Sequence, residues 1–157
     1  MNYRIKYNKK FDGSFVYYII EKRTQAIVYI GETGNIATRY SSHMSEGDRV
    51  STSAFHNWCK ENNREKSDFE MVVLDLSGYD TLDYDDRRIM EKYLQLVHRE
   101  TLIAGKNRTQ LNVYQAERFE YMSGIVDFDF KSYTQIKVER HKKQNSHTVC
   151  RPHDYNN

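Results

Sequence analysis

A chain of 157 residues, 38% hydrophobic and 29% charged, is about one domain long and can bury its own core. No apolar stretch approaches the ~20 residues of a membrane span, Met1-Asn2-Tyr3-Arg4 starts no signal-peptide core, and the unpaired spacing of Cys59 and Cys150 excludes a disulfide framework or zinc ribbon. The formal net charge of +2 hides a segregation: residues 1–43 and 131–157 each balance at +4, whereas Glu61 to Asp86 balances at −7.

In chain order, residues 1–13 alternate Tyr3, Ile5 and Tyr7 and read as an N-terminal arm or strand. Phe15 to Ile20 is apolar or aromatic, Glu21 to Gln25 is polar, and Ala26 to Ile30 is apolar again, the pattern of a β-hairpin. Side chains alternate across a strand, so Tyr17 and Ile19 share one face and Tyr18 and Ile20 the other. Gly31 reads as the end of the second strand, and Gly34-Asn35 as a breaker and N-cap, with Thr33 a second cap candidate. Ile36, Tyr40 and Met44 then recur at helical spacing, while Arg39 and His43, four apart, share a neighbouring stripe. A guanidinium can grip phosphate with two hydrogen bonds, and an imidazole can move a proton near neutral pH.

A second helix is expected over 51–63, anchored by Phe55 and Trp58, and a central strand over 69–76, where Met71 to Leu74 is continuously apolar. Leu82 to Leu102 reads as the longest helix, with Ile89, Met90, Tyr93, Leu96 and Val97 as its apolar stripe and Glu91 beside it. Beyond Val113, Ile125 to Phe130 and Tyr133 to Val138 partly alternate, which predicts a C-terminal hairpin or edge strand; from Glu139 a basic, polar tail follows, expected to be mobile on its own. His147, Cys150 and His153 fall within seven residues, but structural zinc normally takes four ligands in paired arms, so they read as a polar tail. The expected fold is α/β of the α+β kind, a small mixed sheet flanked by helices.

These residues resemble the GIY-YIG nuclease family. Tyr29-Ile30-Gly31 matches the second half of its signature, and Arg39 and His43 lie ten and fourteen residues beyond Tyr29, the family's spacing. Phe15-Val16-Tyr17 stands where Gly-Ile-Tyr is usual, and Tyr17-Tyr18-Ile19 aligns Tyr17 rather than Tyr18 with the signature. The resemblance implies a carboxylate on a later helix holding one divalent metal ion, carried here by Glu91 in Met90-Glu91-Lys92-Tyr93-Leu94. It also implies a later asparagine, Asn112 in Leu111-Asn112-Val113. The core would then span 14–113, with 114–157 as a C-terminal extension ending in the basic tail.

What the resemblance implies is a DNA endonuclease using Mg²⁺ or Mn²⁺, with Tyr17 or Tyr29, helped by His43, acting on water and Arg39 neutralising phosphate charge. A phenol works as a base only if a cation lowers its pKa from near 10. The short extension fits a freestanding enzyme of phage or restriction type in a bacterial or phage-infected cytoplasm, with DNA on the basic ends. The oligomeric state is open, a dimer included. The alternatives are a catalytically inactive DNA-binding or interaction module on the same scaffold and, ranked lower, a nuclease of RNA.

Overall fold

The computed structural model describes residues 12–46, 53–103 and 110–150, with side chains for all of these except residues 12 and 143–150. The expected arm at 1–11 and the His147, Cys150 and His153 side chains lie outside that description. A hairpin of β1 (Asp12–Glu21) and β2 (Ile27–Asn35) leads into α1 (Ile36–Met44) and α2 (Ala54–Glu61). A 3₁₀ turn (Lys66–Asp68), β3 (Phe69–Asp75) and the long α3 (Tyr84–Val97) follow, then α4 (Val113–Ser123), the two-residue β4 (Lys131–Ser132) and α5 (Tyr133–Cys150). No described helix is long and apolar enough to cross a membrane.

The sheet order is β2-β1-β3-β4, and every neighbouring pair is antiparallel. The α+β class holds, but the sheet is not mixed: β2 and β3 point the same way, yet β1 lies between them and no parallel pair forms. Because β1 has a strand on each side and helices on both faces, its whole run from Phe15 to Ile19 is buried. Phe15, Tyr17 and Ile19 pack with Ile36 of α1, Phe55 of α2, and Tyr133 and Ile136 of α5. Val16 and Tyr18 pack with Ile89, Met90 and Leu94 of α3 and Met122 of α4 on the opposite face. At about 1.5–3 kcal/mol per buried large side chain, these two layers hold the molecule together.

Local chemistry sets the element ends. Asn35 caps α1 by accepting from the Thr38 N–H at 3.0 Å, as the breaker pattern predicted, and the Thr33 hydroxyl accepts from the Asn35 N–H at 3.0 Å. Ser53 caps α2, and Asp83 with Asp86 forms a reciprocal capping box on α3. Both helices are shorter than expected: these caps start them at Ala54 and Tyr84, and they end at Glu61 and Val97. Gly31 does not end β2, which continues to Asn35; it sits opposite Tyr17.

The predicted C-terminal hairpin does not form. Ile125 to Phe130 is irregular chain that lays Phe130 on the Tyr18 ring at 4.0 Å, and only Lys131 and Ser132 pair, with Val73 and Val72. From Tyr133 the chain is helical through Cys150, so the segment after Glu139 continues a helix rather than standing as a separate tail. The reason is a reciprocal cap: Ser132 Oγ accepts from the Gln135 N–H, Gln135 Oε1 accepts from the Ser132 N–H, and Tyr133 and Ile136, three apart, fall on one buried helical stripe.

Candidate active site

Register and alternation bring the two signature tyrosines together. Tyr17 pairs with Gly31 and Ile19 with Tyr29, so Tyr17 and Tyr29 stand on the same sheet face, their rings stacked at 6.1 Å and 18°. A Cβ on Gly31 would lie 2.3 Å from the Tyr17 hydroxyl oxygen, so the glycine is the floor on which the Tyr17 ring rests. Helix α1 crosses this face. Its His43 is 1% exposed, and its Nε2 hydrogen-bonds the Tyr17 hydroxyl at 2.7 Å, with the imidazole 4.7 Å from the Tyr29 ring.

His43 is held from behind by residues that the sequence pattern did not single out. Its Nδ1 hydrogen-bonds Ser53 Oγ at 2.5 Å, and the same hydroxyl accepts from the His56 N–H at the start of α2. The Lys66 ammonium donates to the His43 carbonyl, to Ser45 O at 3.3 Å and to His56 Nδ1 at 2.9 Å, tying the end of α1 to α2. Ser53, His56 and Lys66 act only through folding, and no motif spacing relates them to Tyr17.

Helix α3 supplies the other wall, along the edge strand β2. Arg87, Glu91 and Gln95, one turn apart, form a polar stripe on it. Gln95 Nε2 donates to Ile30 O at 2.9 Å, Arg87 Nη1 donates to Thr33 O at 2.8 Å, and the Glu91 carboxylate accepts from the Glu32 backbone N–H. These side chains satisfy outward-facing groups of β2, which among the described residues has no neighbouring strand on that side. They also place Glu91 within electrostatic reach of Tyr17, Tyr29 and Arg39. Strand alternation puts Glu32, like Ile30, on the α3 side of β2, where Arg87 Nη2 lies 3.7 Å from Glu32 Oε2.

The electrostatics follow from burial. Tyr17, fully buried, has its pKa raised well above 10.0 by desolvation and by Tyr29, more than Arg39 lowers it. Tyr29 is raised too, also by burial, against the pull of Arg39. His43 is lowered to about 3 by burial and by Arg39, Lys66 and His56, so it is neutral at physiological pH. Glu91 is raised to about 7, first by burial and then by the neighbouring Glu32. Arg39 thus pulls both phenols in the direction a base requires, and burial pulls the other way and outweighs it.

Five of the six expected residues, Tyr17, Tyr29, Arg39, His43 and Glu91, converge here. Asn112 caps α4 instead: it accepts from the Gln115 N–H at 2.8 Å, and Gln115 Oε1 accepts from the Asn112 N–H and from Lys92, the neighbour of Glu91. A divalent cation fits the donor set. Glu32 Oε2 is buried without a hydrogen-bond partner, beside a second carboxylate, and Mg²⁺ is commonly bound by one or two carboxylates with water and substrate phosphate completing its shell. Among the described residues no group of three or more His, Cys, Asp or Glu is placed to hold a metal ion together.

A family model described as the GIY-YIG catalytic domain matches residues 14–115. No curated protein and no solved structure gives a significant match. The matched span takes in the tyrosine hairpin, the Arg39 and His43 helix, the central strand and the Glu91 helix, and the chain belongs to the GIY-YIG family of nuclease domains.

Proposed function

We propose that this chain is a metal-dependent DNA endonuclease, freestanding and of phage or restriction type, cleaving phosphodiester bonds at the cluster of Tyr17, Tyr29, Arg39, His43 and Glu91. The observation that carries the reading is the 2.7 Å bond between Tyr17 and His43 beneath Tyr29, with Arg39 and Glu91 alongside. It is a polar chain built into an otherwise apolar face, and buried polar chains of this kind are retained where chemistry uses them.

Tyr29, the less buried phenol, contacts the attacking water. Tyr17 lies within hydrogen-bond reach of Tyr29 and of Arg39, and its hydrogen bond to Nε2 of the neutral His43 fixes the tyrosine pair that orients this water. This uses His43 as a hydrogen-bond acceptor that holds Tyr17, which the neutral imidazole left by its lowered pKa can be at neutral pH, and not as the base that keeps the proton. Arg39 pairs with the scissile phosphate and draws negative charge toward the phenols. Glu91, with its second-strand neighbour, would hold Mg²⁺ or Mn²⁺, which when bound supplies Lewis-acid stabilisation of the phosphate and leaving oxygen. Asn112 serves this site by fixing the start of α4 beside Lys92 and hence beside Glu91.

The test is cleavage of supercoiled plasmid and duplex DNA with Mg²⁺. Glu91→Ala should lose on the order of 100-fold or more in rate, the scale of removing an electrostatic catalytic group. Wild-type rates from that variant would rule out the assignment. DNA binding that weakens with salt but is never followed by metal-dependent cutting by the wild-type chain would instead mark a binding module. Discrete fragments would point to restriction, and a smear or scattered nicks to degradation.

A further inference from the structure

We propose that Glu32 is a second carboxylate of the divalent-cation site, reaching from the edge strand to the ion that Glu91 holds from α3. The inference rests on the nuclease reading above and goes beyond it in naming a residue outside the tyrosine, arginine, histidine and single-glutamate set. Three observations carry it.

First, Glu32 is placed for the role. It directly follows Gly31 in the signature strand, alternates onto the α3 side, and its own backbone N–H is the donor that the Glu91 carboxylate accepts. The two carboxylates are therefore coupled through one backbone unit. Second, Oε2 of Glu32 is buried with no hydrogen-bond partner, on a side chain only 13% exposed. A buried carboxylate oxygen normally accepts two bonds, and leaving one orphaned is costly unless a cation completes it. Third, Arg87 does not complete it. Its Nη2 stands 3.7 Å from Oε2, too long for a hydrogen bond, while Nη1 is committed to Thr33 O at 2.8 Å and Gly13 O at 3.2 Å. Arg87 offsets part of the charge and leaves the oxygen open to a hard cation, for which carboxylate oxygen is the matching ligand.

The probe is Mn²⁺ alone. Its binding to the full chain without DNA is measured by calorimetry and by the loss of the free-Mn²⁺ EPR signal, so the readout does not depend on cleavage. Glu32→Gln keeps the shape and removes the charge. It should weaken Mn²⁺ binding at least tenfold, as should Glu91→Gln, and the two together should weaken it little further, because both serve one ion. If Glu91→Gln weakens binding and Glu32→Gln stays within twofold of wild type, Glu32 is only the counter-ion of Arg87; the inference is overturned while the nuclease reading stands. If wild type binds no Mn²⁺ and cuts no DNA, both fail together. Should Glu32→Gln fold poorly, Glu32→Asp retains the charge for Arg87 but withdraws the oxygens by one methylene. A loss of Mn²⁺ affinity there supports the proposal, and wild-type affinity overturns it.

Discussion

At 1% exposure, with Arg39, Lys66 and His56 around it, His43 is buried in its neutral form, and this makes folding stability depend on pH in a defined direction. Its pKa is lowered from 6.5 to about 3, so between these values the unfolded chain binds a proton that the folded chain does not. Stability therefore falls as pH drops below 6.5, by about 2 kcal/mol from this group at pH 5, and the contribution is fully present above 6.5. His43→Gln keeps a polar partner for Tyr17 and cannot titrate. Its melting temperature should fall less between pH 7.5 and pH 5 than that of the wild type, and parallel curves would show that His43 is protonated in the fold. Gly31 is the other residue whose meaning is geometric: the Tyr17 ring occupies the space a Cβ needs, so the signature's glycine and tyrosine are two halves of one packing contact.

Between elements, the decisive joint is the end of α1, where the Lys66 ammonium collects the His43 and Ser45 carbonyls from a distant 3₁₀ turn. Lys66→Met keeps the stem and deletes the donor. It leaves two carbonyls at a helix end unsatisfied and should cost about 1–3 kcal/mol in urea denaturation. An unchanged midpoint would mean that water replaces the ammonium and that Lys66 is not what fixes the His43 helix. Nothing about Lys66 could be read from the chain, because its partners are 10 to 23 residues away. By contrast, the hairpin and α1 were legible apart from the end of β2, which runs past Gly31 to Asn35: strand alternation, the Asn35 cap and the spacing of Arg39 and His43 all agree locally on one structure, and the site inherits that agreement. Tyr133 to Val138 was misread as strand because a short alternating run also satisfies a helical i, i+3 pair. The Ser132 and Gln135 cap was the signal that decides between them. Glu32 follows the signature glycine in the sequence, but its placement beside Glu91 depends on which helix packs against β2, which is a tertiary fact.

Across the whole molecule, the C-terminal segment is part of the core that carries the site. Tyr133 stacks on Tyr40 of α1 at 4.2 Å, Ile136 is buried with Phe15 and Tyr17, and Arg140 pairs with Asp75 and lies 5.0 Å from the Phe15 ring. Family resemblance alone ends near Asn112 and leaves this segment as an appendage, but the first sheet face is covered by α1, α2 and α5 together. A chain ending at Phe130 would lose β4 and α5. It would expose the β3 edge and forfeit the burial of two large side chains, about 3–6 kcal/mol against the ~5–15 kcal/mol that a typical domain has. That chain should melt far below the full-length protein or fail to fold, and any cleavage activity should fall with it, since Tyr40 sits on the same helix as Arg39 and His43. A truncated chain with the full-length urea midpoint would show instead that the sheet closes without α5. The basic residues of this segment would then be a true arm, and their contribution to DNA affinity could be removed without touching the fold.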